Sequence, residues 1–265
     1  MASVGLSQRL QRRMASARAI VGLYLIPGFP DWAASSEALA AALKAGVDFV
    51  EFPIIGRKSW SPRTGSVIAR ALEYALDGSS LTASRAAAWL GTASRSVGVV
   101  YRDSWPEADE WEAPNELLAL VSALLLEADV DWEAYATQAQ EWAVPLVPTF
   151  DGRNGSLSGE ERARLDLGDV FAYLSLGSQT GSRDERLEEA RAKTMTLKDE
   201  RPNLPVCAAF GIASASDARE VLEKVGCDGV VIGTAALAAL EEGLPQYKSW
   251  LRSVVRAARR EVAVR

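Results

Sequence analysis

Short apolar runs alternate with amphipathic stretches along most of the chain. The runs at 20–26, 49–54, 97–101, 123–128, 145–149, 170–174, 205–210 and 229–232 are rich in Val, Leu and Ile at both odd and even positions. That is the pattern of parallel strands covered on both faces. Between them, 35–45, 65–76, 80–90, 114–123, 132–142, 159–166, 182–198 and 216–225 read as amphipathic helices. Ser35-Ser36-Glu37 and Ser214-Ala215-Ser216-Asp217 look like helix starts, and Gly46 and Gly226 like helix ends. Eight strands alternating with helices predict an α/β fold, a closed parallel (β/α)8 TIM barrel, in preference to a doubly wound sheet. A further helix at 6–17 precedes the first strand. No linker or composition break divides the chain, so one domain is expected over 1–265.

Composition narrows the function. The chain has 265 residues, 48% apolar and 24% charged, enough for a large buried core. A net charge of −6 argues against nucleic acid as a partner. No apolar run approaches the ~20 residues that span a bilayer, so no membrane partner is expected. The start is basic but lacks the apolar run of a secretory signal, and reads as a helix entering the first strand. Cys207 and Cys227 both sit among apolar residues, which predicts a reduced, cytoplasmic setting. There is no histidine. Serine–histidine triads, imidazole bases and the commonest metal ligand are thereby removed, which is consistent with the metal-free and cofactor-free chemistry implied by the resemblance given below.

In a barrel of this kind the active site lies at the C-terminal strand ends. Glu51 stands out there, because the run Phe49-Val50-Glu51-Phe52-Pro53-Ile54 would ordinarily exclude a charge. A carboxyl in apolar surroundings takes up a proton, which suits it to acid–base work near neutral pH. The alternatives are a buried arginine partner or exposure beyond the strand end. Two later strands each run directly into glycine, at Phe210-Gly211-Ile212 and Ile232-Gly233-Thr234. These are the loops after strands seven and eight, where such barrels usually bind phosphate on backbone amides and a helix start. Plain turn geometry is the other explanation of the glycines. Trp60, Trp105 and Trp111 fall in loops on the same side, as an aromatic lid or as ordinary packing.

Five segments together carry a resemblance. They are Ala45-Gly46-Val47-Asp48-Phe49-Val50-Glu51, Glu127-Ala128-Asp129-Val130, Tyr173-Leu174 with Thr180-Gly181, Phe210-Gly211-Ile212, and Gly229-Val230-Val231-Ile232-Gly233-Thr234. In this order and spacing the chain resembles the α subunit of tryptophan synthase over nearly all of the barrel. The resemblance implies a cofactor-free lyase that splits indole-3-glycerol phosphate into indole and glyceraldehyde 3-phosphate by a retro-aldol reaction. It implies that Glu51 is the catalytic proton carrier, with Tyr173 beside it. Gly181, Gly211, Gly233 and Thr234 would hold the substrate phosphate. Asp129 falls on an aspartate that signals to the partner subunit more than it carries protons.

The departure lies in the loop after Glu51. The family places a proline, a phenylalanine and two aspartates there; one aspartate hydrogen-bonds the indole nitrogen, and the loop contacts the β subunit. Here Pro53 to Gly65 contains no acid and three cations, Arg57, Lys58 and Arg63. Either another acid substitutes, with Asp103, Asp129, Asp131 and Asp151 as candidates, or the substrate differs. The same loop predicts no tight complex with an ordinary β subunit. Two rival readings follow: a retro-aldolase for another phosphorylated substrate, and a non-catalytic barrel that binds a phosphate ligand and regulates a partner.

Overall fold

The computed structural model describes residues 2–54, 64–77, 83–91, 95–100, 117–127, 130, 132–181 and 187–259. Along the first half run α1 (Ala2–Ala15), β1 (Ile20–Tyr24), α2 (Trp32–Ala45), β2 (Phe49–Ile54), α3 (Ser66–Asp77), α4 (Ala83–Leu90), β3 (Ser96–Val100) and β4 (Ala123–Leu126). The second half continues with α5 (Trp132–Glu141), β5 (Leu146–Val147), β6 (Thr149–Asp151), α6 (Gly159–Asp166), β7 (Ala172–Ser175), α7 (Leu187–Glu200), β8 (Val206–Ala209), α8 (Ala215–Val225), β9 (Gly229–Ile232), α9 (Thr234–Glu241) and α10 (Leu244–Ala258).

All strand pairs are parallel, in the order β5-β4-β3-β2-β1-β9-β8-β7-β6. The two ends of that order, β5 and β6, are separated in sequence only by Pro148. Residues 146–151 therefore serve as one barrel strand, pairing with β4 through their first half and with β7 through their second. Proline has no N–H to give to a ladder. Its carbonyl still accepts from the Tyr173 amide at 2.9 Å, so the ring closes through the chain itself. The expected eight-stranded barrel is the fold, with its fifth strand split and extended to Asp151.

Side-chain alternation gives two cores. Val21, Leu23, Leu25, Val50, Phe52 and Ile54 point outward under the helices. Ile20, Phe49, Val97, Leu125, Phe171 and Val231 point into the barrel. Near the N-terminal strand ends Phe49 stacks on Phe171 with ring centroids 4.8 Å apart. A Cβ on Gly22 would lie 2.4 Å from the Phe49 ring, so the absence of a side chain there is what admits the stack. Leu6 and Leu10 of α1 belong to this inner core and help to close the bottom. Below Glu51 the barrel interior is thus filled by apolar side chains of the described residues.

Asp48, just before β2, ties α1 and the end of α10 to that bottom. Its side chain is fully buried and accepts from the Val21 amide at 3.1 Å and Arg13 Nε at 2.7 Å. Arg9 Nε and Arg259 Nη2 each approach it at 3.4 Å. One local expectation is corrected. Helix α2 starts earlier than Ser35, capped by Asp31, whose Oδ1 accepts from the Ala34 amide at 2.8 Å. Ser35 is buried, and its hydroxyl instead receives the Gly28 amide at 3.0 Å. The Ser214 start and the Gly46 and Gly226 ends form as expected, Ser214 and Asp217 making a reciprocal capping box. Among the described residues no helix is long and apolar enough to cross a membrane.

Candidate active site

Above the packed floor, at the C-terminal strand ends, lies a cavity of about 680 Å³. It brings together Glu51 of β2, Tyr173 of β7, Gly181, Gly211, and Gly233 with Thr234 at the start of α9. Asp129, Asp103 and Asp131 lie outside the described residues, as do Trp60, Trp105, Trp111 and the cations Arg57, Lys58 and Arg63. Asp151 is described and does not line the cavity; it is half-exposed and bound to Arg153, with Nη2 to Oδ2 at 2.6 Å.

At the deep end Glu51 is held by the sheet on both sides. Its carbonyl accepts from the Leu25 amide at 2.9 Å, and it sits opposite Tyr24 and Val97 in the ladders. Only 2% of the residue is exposed, and Oε1 is shut off from solvent with no hydrogen-bond partner. The alternatives of a buried arginine partner and of solvent exposure are thus both excluded among the described residues. Burial alone pushes the carboxyl up to about 8. At neutral pH the group is protonated, able to give a proton and take one back. Val99 and Leu125 provide apolar wall beside it, and Tyr173 meets Phe210 edge-on at 6.2 Å.

The other end is backbone. Phe210 and Gly211 both adopt positive φ, 79° and 63°, in the turn after β8. A phenylalanine in that region is strained, and such outliers concentrate at functional sites. Gly181 also has positive φ, 86°, and a Cβ there would come within 3.2 Å of Thr234. The helices that follow the two turns differ. The first turn of α8 is closed by the Ser214 and Asp217 side chains. Helix α9 begins at Gly233 with no side-chain cap, and the Thr234 hydroxyl is buried without a partner among the described residues. An uncapped helix start flanked by glycine turns offers free N–H groups and a favourable dipole to an anion.

Two residues absent from the sequence-based list also shape this space. Glu127, just past β4, lines the cavity. Trp250 of α10 donates to the Ala213 carbonyl at 2.9 Å and fixes the loop after β8 against the last helix. Gly65, just before α3, donates its amide to Thr180 Oγ1 at 2.5 Å beside Gly181.

No protein-family model matches the chain. The tryptophan synthase alpha chain of Mycobacterium tuberculosis H37Rv is 27% identical over 249 residues, covering 89% of this chain and 87% of that one. That of Leifsonia xyli is 28% identical over 246 residues, covering 88% and 89%. This chain is similar to the tryptophan synthase alpha chains along most of its length. Solved structures agree at the level of fold. Tryptophan synthase from M. tuberculosis in its aminoacrylate-bound form superposes with a TM-score of 0.78 at 22% identity, covering 96% of this chain and 99% of that one. The tryptophan synthase alpha chain from Legionella pneumophila gives 0.76 at 18% identity, with 96% of each chain covered.

Proposed function

We propose that this chain is a carbon–carbon lyase of the tryptophan synthase alpha type, cleaving indole-3-glycerol phosphate to indole and glyceraldehyde 3-phosphate. The observation that carries the reading is Glu51, an unpaired carboxyl buried at one end of a cavity whose other end suits an anion. Protonated Glu51 gives its proton to ring carbon three, and the positive charge spreads to the ring nitrogen. The resulting carboxylate then takes the proton of the hydroxyl on the carbon attached to the ring. As that O–H electron pair becomes the aldehyde carbonyl, the carbon–carbon bond breaks and its pair returns to the ring. Glu51 ends protonated, so the cycle needs no other proton source. Tyr173 packs against the ring, and Gly181, Gly211, Gly233 and Thr234 hold the phosphate. Asp129 carries a signal to a partner subunit. Indole release by the purified chain tests the reaction. Cleavage of a different phosphorylated substrate, with no indole formed, would give the site to the diverged retro-aldolase reading that the acid-free loop favours.

Two further results are expected. Gly211→Ala places a side chain at positive φ where backbone meets the anion, and should weaken glycerol phosphate binding on the order of tenfold. Calorimetry showing an unchanged dissociation constant in a variant with a normal melt would reject the phosphate assignment. The chain should also form no tight complex with an ordinary tryptophan synthase β subunit, because unmatched cations at a buried contact cost several kcal/mol. Co-elution at micromolar concentration with mutual activation would be the contrary outcome.

A further inference from the structure

We propose that the bottom of the barrel carries a second binding site, a cleft lined by Arg9, Arg12, Arg13 and Arg95 that takes a small anion of two or three linked phosphate groups. The site is independent of the reaction proposed for the other end of the barrel.

Helix α1 builds one side of the cleft. Leu6 and Leu10 turn one stripe of that helix into the inner core. Gly5, Gln8, Arg9, Arg12, Arg13 and Ser16 recur at helical spacing on an adjoining stripe, and all line a cleft of about 560 Å³. Because the apolar stripe is already spent on the core, α1 has none to offer a lipid surface. Arg95 lines the cleft from just before β3. Its position is anchored twice: its carbonyl accepts from the Val50 amide at 2.8 Å, and its Nη1 donates to the Val47 carbonyl at 3.3 Å.

The charges at this end do not balance. The described lining holds four arginines and no acid, in a chain whose net charge is −6. Behind the arginines stands one carboxylate, Asp48, which the Val21 amide, Arg13 and Arg259 already meet. Arg9 Nε, 3.4 Å from that carboxylate, is shut off from solvent and makes no hydrogen bond among the described residues. Arg12 and Arg95 have no carboxylate partner among the described residues. The other acids at this end have cations of their own, Asp169 with Arg201 at 3.4 Å and Asp228 with Lys198 at 2.8 Å. Burial and then the Arg95 charge hold the Arg9 guanidinium below its ordinary value, against the pull of Asp48. A cleft of one sign concentrates counter-ions, and guanidinium forks match phosphate oxygens two at a time. One phosphate would leave most of the four forks unmet, whereas two or three linked phosphates engage them together. The bound anion relieves the repulsion between Arg9 and Arg95 and ties α1 to the start of β3.

The test is calorimetric titration of the full chain with inorganic triphosphate, with glycerol phosphate present throughout to occupy the opposite end. Wild type should bind one equivalent, and the affinity should fall as salt is added. Arg12→Gln should weaken binding on the order of tenfold, the worth of one charge-assisted contact. The double variant Arg12→Gln/Arg95→Gln should weaken it on the order of a hundredfold. Arg12 is exposed, so its single variant should melt with wild type in the absence of ligand and serves if the double variant does not fold. Gly211→Ala should leave triphosphate binding unchanged; a loss there would move the anion to the other end of the barrel and overturn the proposal. ATP, titrated in parallel, separates the sources: equal affinity assigns the site to free polyphosphate and tighter ATP to a nucleotide, and either result keeps it. A glutamate peptide that binds as tightly as triphosphate would overturn the phosphate chemistry. Unchanged affinity in both arginine variants, or no saturable binding by wild type below about 1 mM, would overturn the site itself.

Discussion

Glu51→Gln should lower turnover of indole-3-glycerol phosphate by ~10² or more while the protein stays folded, because the amide keeps the shape and cannot carry the proton. The pH dependence has a defined sign. Cleavage starts from the protonated carboxyl, whose pKa is pushed up to about 8 by burial. The kcat/KM of wild type should therefore be level below about pH 8 and fall roughly tenfold per unit above it. Stability moves the same way. The unfolded chain ionises near its ordinary value of 4.5, and the folded chain resists until about 8, so this residue costs nothing in acid and progressively more through that interval. Each pH unit between the two values is worth ~1.4 kcal/mol, giving an upper limit of ~5 kcal/mol at pH 9. Glu51→Gln should accordingly melt higher than wild type at pH 9 and about equally at pH 4.5. A variant with turnover within a few-fold of wild type, or with no stability gain in alkali, would show that Glu51 is neither the proton carrier nor a neutral buried acid.

Asp48→Asn should be the most destabilising single change outside the cavity. The carboxylate is fully buried, with Arg9, Arg13 and Arg259 drawn round it from α1 and the end of α10. Removing one side of a buried ion cluster typically costs 3–5 kcal/mol, since the opposite charges are left behind. The three arginines keep 20–30% of their side chains exposed, which points to the lower figure. A loss of ~3 kcal/mol should lower the melting temperature on the order of 10 °C in a chain of this size. Turnover per folded molecule should not change, as Asp48 lies at the opposite end of the barrel from the cavity. A melt within 2 °C of wild type would mean that the cluster is solvated and that α1 is held by Leu6 and Leu10 alone.

The barrel was legible because its strands are apolar at both parities, which only strands covered on two faces tolerate. The same regularity exposed Glu51, a charge where the pattern forbids one. The features hidden in the sequence depend on distant partners or on strand ends. Asp48 reads as an ordinary loop acid, because its arginines come from both ends of the chain. Glu127 follows an apolar run, where an acid is unremarkable, and only the side towards which β4 turns its side chains puts it in the cavity. Asp31 and the serines four and five residues later have equal capping propensity, so the residues alone do not tell which one starts the helix. The break at Pro148 likewise shows only once β4 and β7 are seen to share one strand between them.

The anion end of the cavity has a bearing on how such a protein changes over generations. Its contacts are main-chain groups and a helix terminus, with no cationic side chain among the described lining residues. Main-chain donors survive nearly every codon change, so under the proposed function drift in the surrounding sequence would leave the handle for a phosphate in place. The ring end is built from side chains on separate strands, each replaceable on its own. A lineage can therefore exchange the group recognised at one end without relearning how to hold the other, and a diverged barrel of this type starts each new substrate already half bound.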